Sequence, residues 1–192
     1  ALCAVGVYTH DGRESPASTP FALTTGTLGV GAGALGAAVL TGQPRSLAVG
    51  AAVVVSLLFP VPWLLFALRY TGRDESVSTA LVATLSTPVW LGLLSTGVIL
   101  LAQWFSLLYA GGMTIVATGL LLWTFHRYDY LDGTTGTLVG TLGTVPVLSV
   151  LLSLQTTTLA PAVLPSIWTV GFVIAAVTAW GAVGTGRLFD NV

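Results

Sequence analysis

Long apolar stretches with no ionisable residue near their middle follow one another along this sequence, each closed by a short polar turn. Such stretches lack the charged face that a helix on the surface of a soluble protein presents to water. Only 7% of the residues are charged and mean hydropathy is +0.91, whereas soluble domains carry roughly 25% charged residues. Too few charges exist to cover a water-facing surface, so the chain reads as an integral membrane protein. At about 25 residues per span and turn, its length holds about seven spanning helices. The expectation is an all-α, polytopic membrane bundle of about seven transmembrane helices, the first truncated, forming one domain over 1–192.

Taken in order, Ala1–Tyr8 is too short to cross about 30 Å of hydrocarbon and reads as the end of a first helix, closed by the polar run Thr9–Pro16. The second span is expected over 18–41, where Gly29 and Gly33 have the spacing that lets helix backbones approach closely in lipid. The third, 46–70, holds Pro60 and Pro62, which predict a kink near its middle because each removes a backbone donor. The fourth, 78–101, contains Pro88 and Trp90, and Gln103-Trp104 marks the next turn. The fifth is 105–125. The sixth, 134–155, carries Gly136 and Gly140 and a bend at Pro146. The seventh is 162–186, with Gly181, Gly184 and Gly186 at its end.

All basic residues are arginines, and no lysine is present. This composition points to an organism living in high salt. Counting by side, one face collects Arg13, Arg69, Arg73, Arg127 and Arg187 with all seven acids, while the other holds only Arg45. Arginine excess in short loops marks the cytoplasmic side. The expected placement is therefore a multi-pass cell-membrane protein with the N-terminus outside and the C-terminus cytoplasmic.

The same residues exclude several chemistries. Intramembrane charges mark proton relays, ion pathways and counter-ions, and their absence argues against a pump, an ion-coupled transporter or a channel. Retinal is excluded because no lysine is available for a Schiff base. The net charge of −1 makes no case for nucleic acid. Cys3 is alone, so there is no disulfide framework or thiolate metal site. His10 and His126 lie at one membrane boundary and do not stack across the bilayer as haem ligands would. Asp74-Glu75 flanks Arg73 in a turn and reads as loop solvation. No catalytic, cofactor-binding or metal-binding residues are assigned, and no cofactor is expected. Trp104, Trp123 and Trp168 suit interfacial belt positions. Deeper, Pro60 and Trp63 on the third span and Thr87, Pro88 and Trp90 on the fourth are the best place for a small pocket. Kinked helices leave packing gaps there, and a buried indole N–H needs a partner.

The exit of the third span, Pro60-Val61-Pro62-Trp63-Leu64-Leu65-Phe66-Ala67-Leu68-Arg69-Tyr70-Thr71-Gly72-Arg73, resembles the signature of the amino-terminal seven-helix region of archaeal and bacterial sensor histidine kinases. Within it Trp63, Phe66, Arg69, Tyr70, Thr71, Gly72 and Arg73 carry the likeness. Arg187, Leu188, Phe189 and Asp190 resemble the exit of the family's last span, and the stretch Arg13–Ala17 resembles its first charged turn. The resemblance implies a non-catalytic sensory module that relays a stimulus to a C-terminal cytoplasmic domain, working as a dimer in membrane lipid. No phospho-acceptor histidine box or ATP-binding glycine motif stands in these residues, so the chain is not expected to be an enzyme. The alternative is a structural or accessory subunit packed against a larger membrane complex. On either view Arg69 and Tyr70 are expected at headgroup level, with Gly72 ending the helix.

Overall fold

A computed structural model of the chain describes residues 15–41, 54–55, 57–73, 75, 77–94, 100–128, 133–154 and 160–184. Among these residues the structure is wholly helical, with α1 over Ser18–Leu40, α2 over Pro60–Tyr70, α3 over Thr79–Leu94, α4 over Leu100–Arg127, α5 over Gly133–Leu154 and α6 over Ala160–Gly184. The six helices fall where the second to seventh spans are expected. The first span, Cys3, His10, Arg13, Arg45, Asp74 and Gly186–Asp190 lie outside the described residues. Within the described residues one helical segment, Leu108–Arg127, is long and apolar enough to cross a membrane, while Thr79–Leu91 and Thr169–Gly184 are apolar but shorter.

Local chemistry sets the helix ends. Before α1, the Ser15 hydroxyl accepts from the Ala17 amide at 3.3 Å, and Ser18 Oγ donates to the Ser15 carbonyl at 2.7 Å. The Ser78 hydroxyl accepts from the Leu81 amide at 3.1 Å, an N-cap for α3. Helix α2 begins differently. Residues 54–55 and 57–58 are already helical, Phe59 keeps helical angles (φ −64°, ψ −41°) with its amide on the Val55 carbonyl at 2.9 Å, and Pro60 opens α2. Proline fits a first-turn position because its missing N–H would have no intrahelical partner there. Pro60 and Pro62, the residues expected to kink this span, thus stand in the first turn of α2, where their missing N–H groups interrupt the helical ladder.

At its other end α2 closes on Gly72, whose φ is +71°. The Arg73 amide donates to the Leu68 carbonyl at 2.9 Å and the Gly72 amide to the Arg69 carbonyl at 3.2 Å. This pair of bonds is the Schellman closure, which places a left-handed residue one past the cap. Gly72→Ala is expected to cost about 1–2 kcal/mol, the penalty of left-handed backbone for a residue with a Cβ. Equilibrium unfolding in mixed micelles would measure it, and an alanine variant as stable as the parent would contradict this account of the cap.

Gln103 and Trp104 do not form a turn: both lie inside α4. Neither glycine nor proline stands there, and one glutamine among apolar residues costs a helix little. Helix α4 packs on α2, α3 and α5. Helix α1 packs on α2 and α6, and α5 on α6. Five helices thus close a ring in the order α1, α2, α4, α5, α6, with α3 outside it against α4. The core is built from Phe21, Phe59, Trp63, Phe66, Leu121, Phe125, Leu138 and Leu142, all fully or almost fully buried.

Close helix approach does occur at glycines, but not at every one of the spaced pairs. Gly33 and Gly140 face open space. The contacts are made at Gly31, where an added Cβ would lie 2.6 Å from a Val55 methyl, at Gly143 against Thr118, and at Gly171 against Val145. At the end of α6, Gly181 makes only ordinary contact with Thr134, and Gly184 faces open space.

Threonine supplies most of the polarity inside these helices, and its hydroxyls turn back on their own backbone. Thr24, Thr84, Thr87, Thr114, Thr124 and Thr178 each donate to the carbonyl four residues earlier at 2.7–2.8 Å. A hydroxyl satisfied in this way needs no water. Outward-facing positions are largely apolar, including Leu23 and Val30 on α1, Leu91 on α3, Ile115 and Val116 on α4, and Val173 and Val177 on α6.

Candidate functional site

The residues that carry the family likeness at the exit of the third span fall on α2 and its cap. Phe59, Trp63, Phe66 and Tyr70 recur at helical spacing and form one inward face. Their rings make a continuous column, with centroids 5.6 Å apart from Phe59 to Trp63, 5.5 Å to Phe66 and 5.3 Å to Tyr70. Phe21 of α1 meets Phe66 at 5.0 Å, and Phe125 of α4 meets Tyr70 edge-on at 5.3 Å. Such pairs add roughly 0.5–1.5 kcal/mol each beyond the area they bury. Tyr70, in the last turn of α2, is thus turned into the bundle and only 8% exposed. Its ring completes the column.

Arg69 is half-buried on the flank of α2 that faces α1, and its Nη1 donates to the Pro16 carbonyl at 3.1 Å, tying the end of α2 to the approach to α1. Arg73 Nη1 donates to Thr71 Oγ1 at 3.0 Å, and Thr71 caps the helix. Trp123 is half exposed near the end of α4, with the Arg127 guanidinium 5.3 Å over its ring. That aromatic–cation pair suits an interfacial position. The other likeness residues, Arg187, Leu188, Phe189 and Asp190, lie outside the described residues.

Pro60, Trp63, Thr87, Pro88 and Trp90, expected to line a pocket, do not line the two cavities found among the described residues. Trp63 is 0% exposed, packed between Phe59 and Phe66, and its Nε1 donates to Thr118 Oγ1 on α4 at 3.0 Å. Trp90 is 56% exposed, and Thr87 is exposed with its hydroxyl on the Ala83 carbonyl. The two proline-bearing helices make only slight contact, because α4 fills the space beside α2. The indole did need a partner, as anticipated, but found it on α4.

Open space lies instead between α4 and α5. A groove of about 580 Å³ is walled by Ile115, Thr118, Gly119 and Leu122 on one side and Thr137, Gly140, Gly143 and Val147 on the other. Three of its hydroxyls are engaged: Thr118 donates to the Thr114 carbonyl at 2.7 Å, Thr137 to the Gly133 carbonyl at 2.6 Å, and Thr144 to the Gly140 carbonyl. A second gap, where α1, α5 and α6 meet at Leu28, Leu142 and Phe172, is about 10 Å³, too small to hold more than a single water. Among the described residues no three metal-ligating side chains come together. Nothing in the sequence marks Thr118 as a partner for Trp63. Threonine is so common here that only the packing singles this one out.

Among the described residues no charged side chain lines either cavity. What the arrangement offers is mechanical: a proline-interrupted helix, a column of aromatic rings, and a polar key, Trp63 on Thr118, joining that column to the central helix. No family model, curated protein or solved structure matches this chain.

Proposed function

We propose that the chain is a multi-pass membrane signal-transduction module of the kind that precedes the cytoplasmic domains of sensor histidine kinases, without chemistry of its own. Its N-terminus lies outside and its C-terminus in the cytoplasm. The observation that carries this proposal is the joint on α2: a helical ladder interrupted at Pro60 and Pro62, a rigid aromatic column, and an end locked by Gly72 beside Arg69 and Arg73. A helix segment hinged at one end and keyed to its neighbours can take up two arrangements, and transmission requires such an element. Outward Leu23, Trp90, Ile115, Leu148 and Val177 favour lipid around several helices, since soluble monomers rarely expose large contiguous apolar patches. Arg69, Arg73 and Arg127 at the ends of α2 and α4 favour a cytoplasmic side for those ends.

The test is a chimera in which the cytoplasmic part of a sensor histidine kinase, stripped of its own membrane input, is fused after Val192 and reconstituted in lipid. Replacing both Pro60 and Pro62 by alanine should change autophosphorylation by about fivefold or more, the lower range of allosteric coupling. Equal output from folded parent and variant chimeras would remove the proposal.

The open groove between α4 and α5 favours a second reading, a structural subunit whose small-residue face meets a helix of a larger complex. Isolation of the chain only in a stoichiometric hetero-complex would support that reading over the first.

A further inference from the structure

We propose that Thr118 is a conformational relay between α5 and the proline-interrupted helix α2. Three helices meet on this one side chain. Its hydroxyl accepts the Trp63 indole N–H at 3.0 Å and donates to the Thr114 carbonyl at 2.7 Å, so both of its directions are fixed. On the other side α5 rests against it at Gly143. A Cβ added there would overlap Thr118 Oγ1 and lie 2.7 Å from its Cγ2. Helix α5 therefore approaches this closely only because residue 143 has no side chain, and it cannot press further without turning Thr118.

Turning Thr118 moves its oxygen off the line of the Trp63 N–H. Trp63 is fully buried among Phe59 and Phe66, and a buried donor that loses its acceptor is strongly disfavoured. The ring then has to follow, and with it the column that ends at Tyr70 and Phe125. Helix α5 also has room to move: beside the contact the groove leaves Gly119 and Gly140 facing open space. This relay deepens the signalling proposal by naming an internal route for it, yet it is a property of the bundle and does not need a kinase to be observed.

The full chain in lipid nanodiscs, labelled with ¹⁵N at the tryptophan indoles, tests it. The Trp63 resonance is assigned by its loss in Trp63→Phe. Gly143→Ala should shift that resonance by at least its linewidth, whereas Gly140→Ala, one turn away with space for its methyl, should leave it in place. A folded Gly143→Ala protein with an unmoved Trp63 signal would overturn the relay. So would a Gly140→Ala protein that moves it equally. Coupling must also run backward, so Trp63→Phe should shift the Gly143 amide, which it does not touch. If Gly143→Ala fails to fold, that reverse experiment decides, and an unmoved Gly143 amide overturns the proposal. Because no signalling output is read, a silent chimera and a failed relay are separate outcomes.

Discussion

Trp63→Ala is expected to destabilise the bundle by about 3–5 kcal/mol, the range for truncating a fully buried large aromatic side chain. The ring is 0% exposed, is sandwiched between Phe59 and Phe66, and is the donor to Thr118. In lipid the loss is one of dispersion contacts more than of water exclusion, but a cavity in the column forfeits those contacts in either solvent. Trp90→Ala is the matched control. That side chain is 56% exposed, and its removal should change stability by about 0.5 kcal/mol or less. Unfolding of both variants in mixed micelles gives the comparison. Equal losses at the two tryptophans would mean that the column does not hold the helices together.

Val173→Asp is expected to block membrane insertion of α6. Val173 lies near the middle of that helix and is 59% exposed. On a soluble surface such a change is worth about 0.5 kcal/mol either way. Facing lipid at the helix centre, an aspartate costs about 2.5–3.5 kcal/mol in translocon-mediated insertion. Insertion scored by glycosylation of a flanking acceptor site separates the two cases. An unchanged glycosylation pattern would mean that Val173 does not face lipid at the centre of a spanning helix.

Much of the helical layout is legible in the sequence because charge is so sparse that each polar run marks a boundary. The end of α2 is the clearest case: a glycine after an arginine-bearing last turn predicts a stop, and Gly72 with positive φ is that stop. The Gln103-Trp104 boundary fails for the converse reason, since polarity alone does not break a helix that has neither glycine nor proline. Which glycines make contact was not legible. Helix α1 carries glycines on several sides, and the close approach falls on Gly31 while Gly33 stays open. Pairing two proline-bearing spans into a pocket assumed that neighbours in sequence are neighbours in space. Helix α4, long enough to touch α2, α3 and α5, takes the place that α3 was expected to hold.

The position of α3 outside the five-helix ring bears on which motions are least costly. Among the described residues it leans on α4 and only slightly on α2, with the Tyr109 hydroxyl donating to the Leu85 carbonyl one turn before Pro88. Local opening draws on the segments with the fewest buried contacts. Lifting α3 away uncovers a flank of α4 while the aromatic column and the ring stay closed. Among the described helices the lowest sub-global opening is thus the departure of α3, and native-state exchange would resolve it as a separate cooperative unit of lower protection than the ring.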